Sequence, residues 1–265
     1  MIFPSRVSSL ALATCCFIAL LFVAPVQAAA TDSAPQAPSQ QQQKHHGDEH
    51  DGEKHHAHGR SGGGGHALIH DFSDAERWSK IFDAEERDAW QLPEHVVQDV
   101  MAVRPGMTVA DIGAGTGYFL PALSAAVGEA GRVLGLDPET TLVSFMQQRI
   151  AEEKLGNAEA AVIPYDDPGL EPGSVDRILI VNTWHHIEGR EDYSRQLLKA
   201  LAPDGAVYIV DFTLDSPKGP SASHRIVPEV VQRELAAGGL VPDTVDEDLP
   251  YQYIVVGHRP IGLAH

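Results

Sequence analysis

At 265 residues the chain has room for one sizeable α/β domain with extensions, and its 37 acidic residues against 19 Lys and Arg give a formal net charge of -18. Such an acidic surface argues against nucleic acid as substrate or partner, because phosphate binding relies on clustered cations. Both cysteines, Cys15 and Cys16, fall in the first 28 residues, so a chain without that segment has no disulfide, thiolate ligand or cysteine nucleophile.

Residues 1–28 read as a signal peptide: Arg6 is a minimal positive region, an apolar run extends from Leu10 to Val23, and "APVQAAA" offers small residues for cleavage after Ala28 or Ala30. The competing reading is an uncleaved membrane anchor, for which the run is short. Either places the bulk of the chain outside the inner membrane, so the protein reads as exported, periplasmic or secreted. Cleavage removes Arg6 and no acid, taking the charge from -18 to about -19. Thr14 before "CC" is a poor match to a lipidation site.

Residues 29–67 change character. "TDSAPQAPSQQQQ" is polar and proline-interrupted, and "KHHGDEHDGEKHHAHGRSGGGGH" has almost nothing to bury, which predicts a disordered linker. Eight of the chain's 14 His fall between His45 and His70. His45, His46, His55, His56 and His58, beside Asp48, Glu49, Asp51 and Glu53, are suitable donors for loosely bound Zn, Ni or Cu without a catalytic role. A solvated linker with no specific ligand fits the same residues equally well.

An ordered domain is expected over residues 68–265. "FSDAERWSKIFDAEERDAW" holds two capping-box patterns, Ser73 to Glu76 and Asp83 to Glu86, which predict two short helices. Phe72, Trp78, Ile81, Phe82 and Trp90 would dock these helices; the alternative makes the segment a lid, with Trp78 or Trp90 lining a pocket. From Glu94 onward helix and strand alternate. Helix "PEHVVQDVMAV" leads through "RPGM" to strand "TVADI", followed by helix "YFLPALSAAVG", strand "RVLGLD" and helix "PETTLVSFMQQRIAEEKLG". Strands "AAVIP" and "VDRILIVN", helix "REDYSRQLLKALA", turn "PDG", strand "AVYIVDF", helix "PEVVQRELAAGG" and the apolar run "YQYIVVGHR" complete the pattern. It predicts a Rossmann-like, doubly wound, mainly parallel seven-stranded sheet with helices on both faces and a ligand site at the carboxyl ends of its strands.

"VADIGAGTGYF" stands at the first of those ends. Its glycines, Gly113, Gly115 and Gly117, form G-x-G-x-G, and Tyr118 occupies the place of the third glycine of a dinucleotide fingerprint. Asp111 at the mouth of the turn would repel a diphosphate but could pair with an ammonium group. A ligand with an amino-acid end therefore fits better than a dinucleotide, and a NAD-dependent dehydrogenase is disfavoured.

The span from Glu94 to Pro260 resembles the class I S-adenosylmethionine-dependent methyltransferases. "VADIGAGTGYF" is similar to their first motif, and the resemblance implies that Asp111, Gly113, Gly115 and Gly117 hold the methionine moiety of S-adenosylmethionine. Asp137, twenty residues beyond Gly117 at the end of "RVLGLD", matches the acid that accepts hydrogen bonds from both ribose hydroxyls. Asp166 in "IPYDDPGLEPGSVD" matches the acid that receives the adenine amine, although "DDPG" is also a good turn sequence. "VDRILIVNTWHHI" resembles the fourth-strand motif, with Asn182 near the sulfonium. "LAPDGAVYIVDF" resembles the turn and fifth strand that complete the fold. Helix or turn capping by Asp111 and Asp137 would leave two acids at strand ends unexplained.

Methyl transfer from a sulfonium is an in-line displacement, so the protein mainly aligns the reactants and excludes water. A base is needed only where the acceptor is protonated; His185 or His186 could serve, or could be buried histidines bonded to backbone. Tyr118 and Trp184 are candidates for the acceptor pocket. The insertion "TLDSPKGPSASHRIVP" should shape that pocket, with His224 and Arg225 either meeting an anionic group or forming a surface turn. A small-molecule methyl acceptor is expected, with neither nucleic acid nor a membrane substrate; oligomeric state is left open. The rival reading is an exported non-catalytic protein that keeps the fold and binds a nucleoside or metal.

Overall fold

The structure, a computed structural model, describes residues 77, 80, 85–246 and 249–262. The expected signal peptide (1–28), the linker (29–67) with His45, His46, His55, His56 and His58, the capping residues Ser73, Glu76 and Asp83, and Phe72, Trp78, Ile81 and Phe82 lie outside them.

A 3-10 turn, Glu85–Arg87, leads into helix α1 (Asp88–Gln91) and α2 (Pro93–His95), which continues as a π-helical turn, Val96–Val100. Then follow β1 (Thr108–Ile112), α3 (Leu120–Val127), β2 (Arg132–Asp137), α4 (Thr140–Glu152), β3 (Ala158–Val162) and β4 (Val175–Val181). A 3-10 turn, Trp184–His186, precedes α5 (Arg190–Ala200), β5 (Leu201–Phe212), α6 (Pro228–Ala237), β6 (Val241–Val245) and β7 (Gln252–His258).

The seven strands form one sheet in the order β3-β2-β1-β4-β5-β7-β6. Pairing is parallel from β3 through β5, and β7 runs antiparallel to both β5 and β6. The order reverses direction between β1 and β4, which opens a crevice at the carboxyl ends of those strands. Alternation along each central strand supplies two cores. Val109, Leu179, Val181, Tyr208, Val210, Ile254 and Val256 meet Leu120, Leu123 and Met146 on one face. Ala110, Ile178, Ile180, Val207, Ile209 and Val255 meet Leu197, Val231 and Leu235 on the other. Both faces of the sheet are therefore covered, as near-continuous apolar strands require.

The differences from the sequence pattern are local. β6, "VPDTV", is absent from that pattern because it is an edge strand, half-exposed along its length and carrying Pro242 and Asp243. β5 starts at Leu201 rather than Ala206: the "PDG" turn persists as a bulge, where Val175 pairs with Leu201 but Arg177 with Ala206, and Asp204 takes a φ of 61°. α3 begins only at Leu120 because the glycine turn extends through Phe119, with Pro121 in the first turn where its missing N–H costs nothing.

Candidate functional site at the strand ends

β1 delivers the chain into a turn in which Gly113, Gly115 and Gly117 all adopt left-handed φ, at 69°, 59° and 78°. The Gly113 and Ala114 amides donate to the Leu136 carbonyl at 2.7 and 3.1 Å, holding the turn against β2. A Cβ at Gly113 would lie 2.3 Å from Thr183 Cγ2, so glycine is required there for space as well as for backbone conformation.

The end of β2 closes the turn from the other side. Gly115 N–H donates to Asp137 Oδ2 and Glu139 N–H to Asp137 Oδ1, each at 2.9 Å. Asp137 is 4% exposed, and burial pushes its carboxyl up to about 6, against the two amides that favour the charged form. Each oxygen accepts one bond from the chain and retains capacity for another. Asp111 is 2% exposed and is pushed up to about 7, first by burial, with the Arg87 guanidinium pulling it down and Asp137 pushing it up. Among the described residues, Arg87 is the cation whose charge favours its ionised form. A buried acid in that condition is completed by a cationic donor, and the ammonium of a methionine end fits it.

Asn182 follows β4 with a φ of 54°, its amide donating to the Val210 carbonyl at 2.8 Å. Its side chain belongs to a closed ring of three amides. Gln91 donates to Gln252 at 2.7 Å, Gln252 donates to Asn182 at 2.6 Å, and Asn182 donates to Gln91 at 3.5 Å. Gln91 and Gln252 are buried, so the ring satisfies polar groups that would otherwise be costly and joins α1 to the ends of β4 and β7.

The other expected site residues divide. Asp166 is exposed in the loop after β3, its carbonyl accepting from Gln196, while the turn-forming side chain is that of Asp167, which accepts from Gly169 N–H at 2.8 Å. Tyr118 donates to Asp88 and lies under the Arg87 guanidinium, 4.0 Å from its ring centroid; burial and Asp88 push its hydroxyl pKa up. Trp184 is a correction. It is fully buried against Tyr193, with its indole N–H bonded to Glu234 at 2.9 Å, so it serves the core rather than a pocket.

His185 is bonded to a side chain, not to backbone: its Nδ1 lies 2.9 Å from Asp211 Oδ2, both side chains being buried, and its ring packs at 4.2 Å from that of His186. Arg225 does not present itself to a ligand. Its guanidinium donates to the carbonyls of Pro220, Thr213, Leu214 and Lys218, stapling the insertion closed, while His224 bonds Ser221. Trp90 docks, its ring 6.0 Å from Phe212 and 6.1 Å from Tyr251.

Arg87, Gln91, Asp211 and Gln252 are absent from the sequence-based site. Asp211 carried a usable signal, an acid at the end of an otherwise apolar strand, like Asp111 and Asp137. Gln252 opens an apolar strand in the same way. Nothing local marks Arg87 or Gln91. Among the described residues no cluster of His, Cys, Asp and Glu could hold a metal ion.

A family model described as a methyltransferase domain matches residues 109–205. A solved SAM-dependent methyltransferase from Aquifex aeolicus is 26% identical with a TM-score of 0.65, covering 71% of this chain and 99% of that one. The demethylmenaquinone methyltransferase of Staphylococcus aureus is 31% identical over 99 residues, 36% of this chain and 40% of the relative. The nocamycin O-methyltransferase of Saccharothrix syringae is 22% identical over 187 residues, 71% of this chain and 65% of the relative. The match thus spans less than two thirds of either curated relative's length.

Proposed function

We propose that this chain, whose fold and matched domain are those of class I S-adenosylmethionine-dependent methyltransferases, transfers the methyl group of S-adenosylmethionine to a small-molecule acceptor. One observation carries the reading: two buried acids, Asp111 and Asp137, end neighbouring parallel strands on either side of a left-handed glycine turn. Bound S-adenosylmethionine supplies a methyl group made electrophilic by its sulfonium. Asp111 would receive the ammonium of the methionine end, the remaining acceptor capacity of Asp137 would receive the ribose hydroxyls, and Asp166 the adenine amine. Gly113, Gly115 and Gly117 give the turn the left-handed backbone that would border the ligand. Asn182, fixed by the amide ring, would border the sulfonium.

His185 is the base we assign for a protonated acceptor, with Asp211 holding its Nδ1 so that Nε2 is the atom available to take a proton; His186 packs beside it. The acidity of the chain and the small-molecule acceptors named for the two curated relatives support a small acceptor. The leader, if cleaved, makes this an exported enzyme, and the His-rich linker would carry metal only loosely.

The test is incubation of the mature protein with methyl-labelled S-adenosylmethionine and a mixture of small phenols, amines and thiols, in wild type and His185→Gln. Label moving into the organic fraction, and slowed about a hundredfold or more by the substitution, is the expected result. Bound donor with no label transferred would favour the exported non-catalytic binding protein.

A further inference from the structure

The Trp184–His186 turn carries His185, and two acids meet it from different elements. Asp211, at the end of β5, takes the ring: its Oδ1 and Oδ2 lie 3.0 and 2.9 Å from Nδ1. Glu234, on α6, takes the turn on either side of that ring. Its Oε2 accepts the Trp184 indole N–H at 2.9 Å, at the start of the turn. Its Oε1 accepts from Arg190 Nε at 2.8 Å, and the same guanidinium donates to the Ile187 carbonyl at 3.0 Å, directly after the turn's end.

One carboxylate thus grips the turn at both ends, with His185 between. Within the turn the backbone supplies the bonds from His186 N–H to the Thr183 carbonyl, at 2.8 Å, and from Ile187 N–H to the Trp184 carbonyl, at 3.2 Å. The Arg190–Glu234 pair is largely covered, its side chains 27% and 14% exposed. A covered ion pair returns little net stability, because both charges lose water. Its geometry is better explained by what it orients: the fully buried Trp184 and, through it, the residue that follows. The two acids also share one neighbourhood. Burial first, then Asp211 and Glu234, push the Tyr253 hydroxyl pKa up, and that hydroxyl donates to the Ile226 carbonyl at 2.8 Å, two residues before α6.

We propose that Glu234 is a positioning residue for His185: it fixes the Trp184–His186 turn so that Nδ1 stays on Asp211 and Nε2 remains the nitrogen that can take a proton. The proposal rests on the assignment of His185 as the base in the reading above. Asp211 sets the tautomer, and Glu234 sets the backbone that presents it. α6, far from the glycine turn in the chain, thereby becomes part of the acceptor side of the site.

The test reads the His185 ring itself and so needs no acceptor. Protein carrying isotope-labelled histidine is compared by NMR in wild type, Glu234→Leu and Glu234→Gln, the His185 signals being those that His185→Gln removes. Wild type should show one neutral tautomer, protonated at Nδ1. Glu234→Leu should show a mixture of both tautomers, with S-adenosylhomocysteine affinity unchanged by calorimetry, which also shows that the variant is folded. Methyl transfer in the label assay above should slow roughly 10- to 100-fold in kcat at unchanged KM for S-adenosylmethionine. Glu234→Gln, which keeps one acceptor oxygen and loses the charge facing Arg190, should lie between. A single Nδ1 tautomer kept in Glu234→Leu would overturn the proposal, because Glu234 would then serve packing alone. Mixed tautomers in wild type would overturn it too, as would S-adenosylhomocysteine binding weakened in parallel. Where Glu234→Leu does not fold, Glu234→Gln decides by the same criteria. Failure of wild type to bind S-adenosylhomocysteine would overturn the methyltransferase reading instead, and the tautomer comparison still decides the role of Glu234.

Discussion

The donor end of the crevice and the end around α1, β4 and β7 are built in different ways. At the donor end, Asp111, the three glycines and Asp137 lie within 27 residues, on two adjacent strands and the turn after one of them. At the other end, Gln91, Asn182 and Gln252 form one hydrogen-bonded ring across separations of 91, 70 and 161 residues. One region is a local backbone shape, proposed to border the donor; the other is a long-range assembly that exists only once the sheet is complete. The first should therefore fail by strain and the second by loss of mutual support.

Strain is expected to lower both stability and ligand affinity. Gly113→Ala forces a Cβ to 2.3 Å from Thr183 Cγ2 at a φ of 69°, and is expected to cost about 1–3 kcal/mol in stability and most of the affinity for S-adenosylhomocysteine. Urea titration and calorimetry on the same samples measure the two losses. Unchanged affinity would mean that the turn does not face the ligand.

This contrast also explains what was legible in the sequence. Asp111, Gly113, Gly115, Gly117 and Asp137 were readable because their spacing is fixed by one strand-turn-helix unit and the strand beside it. The sheet was readable because its central strands are buried on both faces and thus apolar throughout. β6 was not, since an edge strand with Pro242 and Asp243 carries no apolar run. Trp184 shows the limit of adjacency in sequence: it stands two residues after Asn182, yet it turns into the core on Glu234. The bonds of Gln91 to Gln252 and of His185 to Asp211 join elements far apart in the chain; Asp211 and Gln252 stand out as polar residues at the ends of apolar strands, but no local pattern says which residue each will bond. For Arg225 the sequence leaves a ligand contact and a surface turn equally open, and the structure shows four carbonyls of its own loop taking up its guanidinium.

Loss of support in the long-range ring is the next effect. Gln252→Leu leaves the Gln91 amide and the Asn182 oxygen without the partners they have at 2.7 and 2.6 Å, and should destabilise the protein by about 1–3 kcal/mol. Because the ring acts as a unit, Gln91→Leu in the Gln252→Leu background should cost less than it does alone, by at least about 0.5 kcal/mol. Strict additivity in thermal or urea unfolding would dissolve the ring as a unit and, with it, the contrast between the two regions.

Proton linkage sharpens the comparison with the smallest effect. Burial raises Asp111 to about 7 and Asp137 to about 6 from ordinary values of 3.8. The fold thus retains protons that the unfolded chain has released, so these groups subtract stability as pH rises from about 4 to about 7, and no more above that. An ammonium ligand needs Asp111 ionised. Affinity for S-adenosylhomocysteine should accordingly rise with pH and level off near 7, with protons released on binding at pH 6. Calorimetry in two buffers of different ionisation enthalpy detects that release; proton uptake would contradict the pairing with Asp111. The amide ring titrates nowhere in this range, so the Gln252→Leu loss should be independent of pH.

The central claim is that the acids beside the glycine turn hold S-adenosylmethionine, and the most direct measurement is calorimetric titration of S-adenosylhomocysteine into wild type and Asp137→Ala. Asp137 is held by Gly115 and Glu139 amides and keeps capacity on both oxygens, so its removal should weaken binding by about 1–3 kcal/mol. Equal affinity in the two proteins would contradict the assignment.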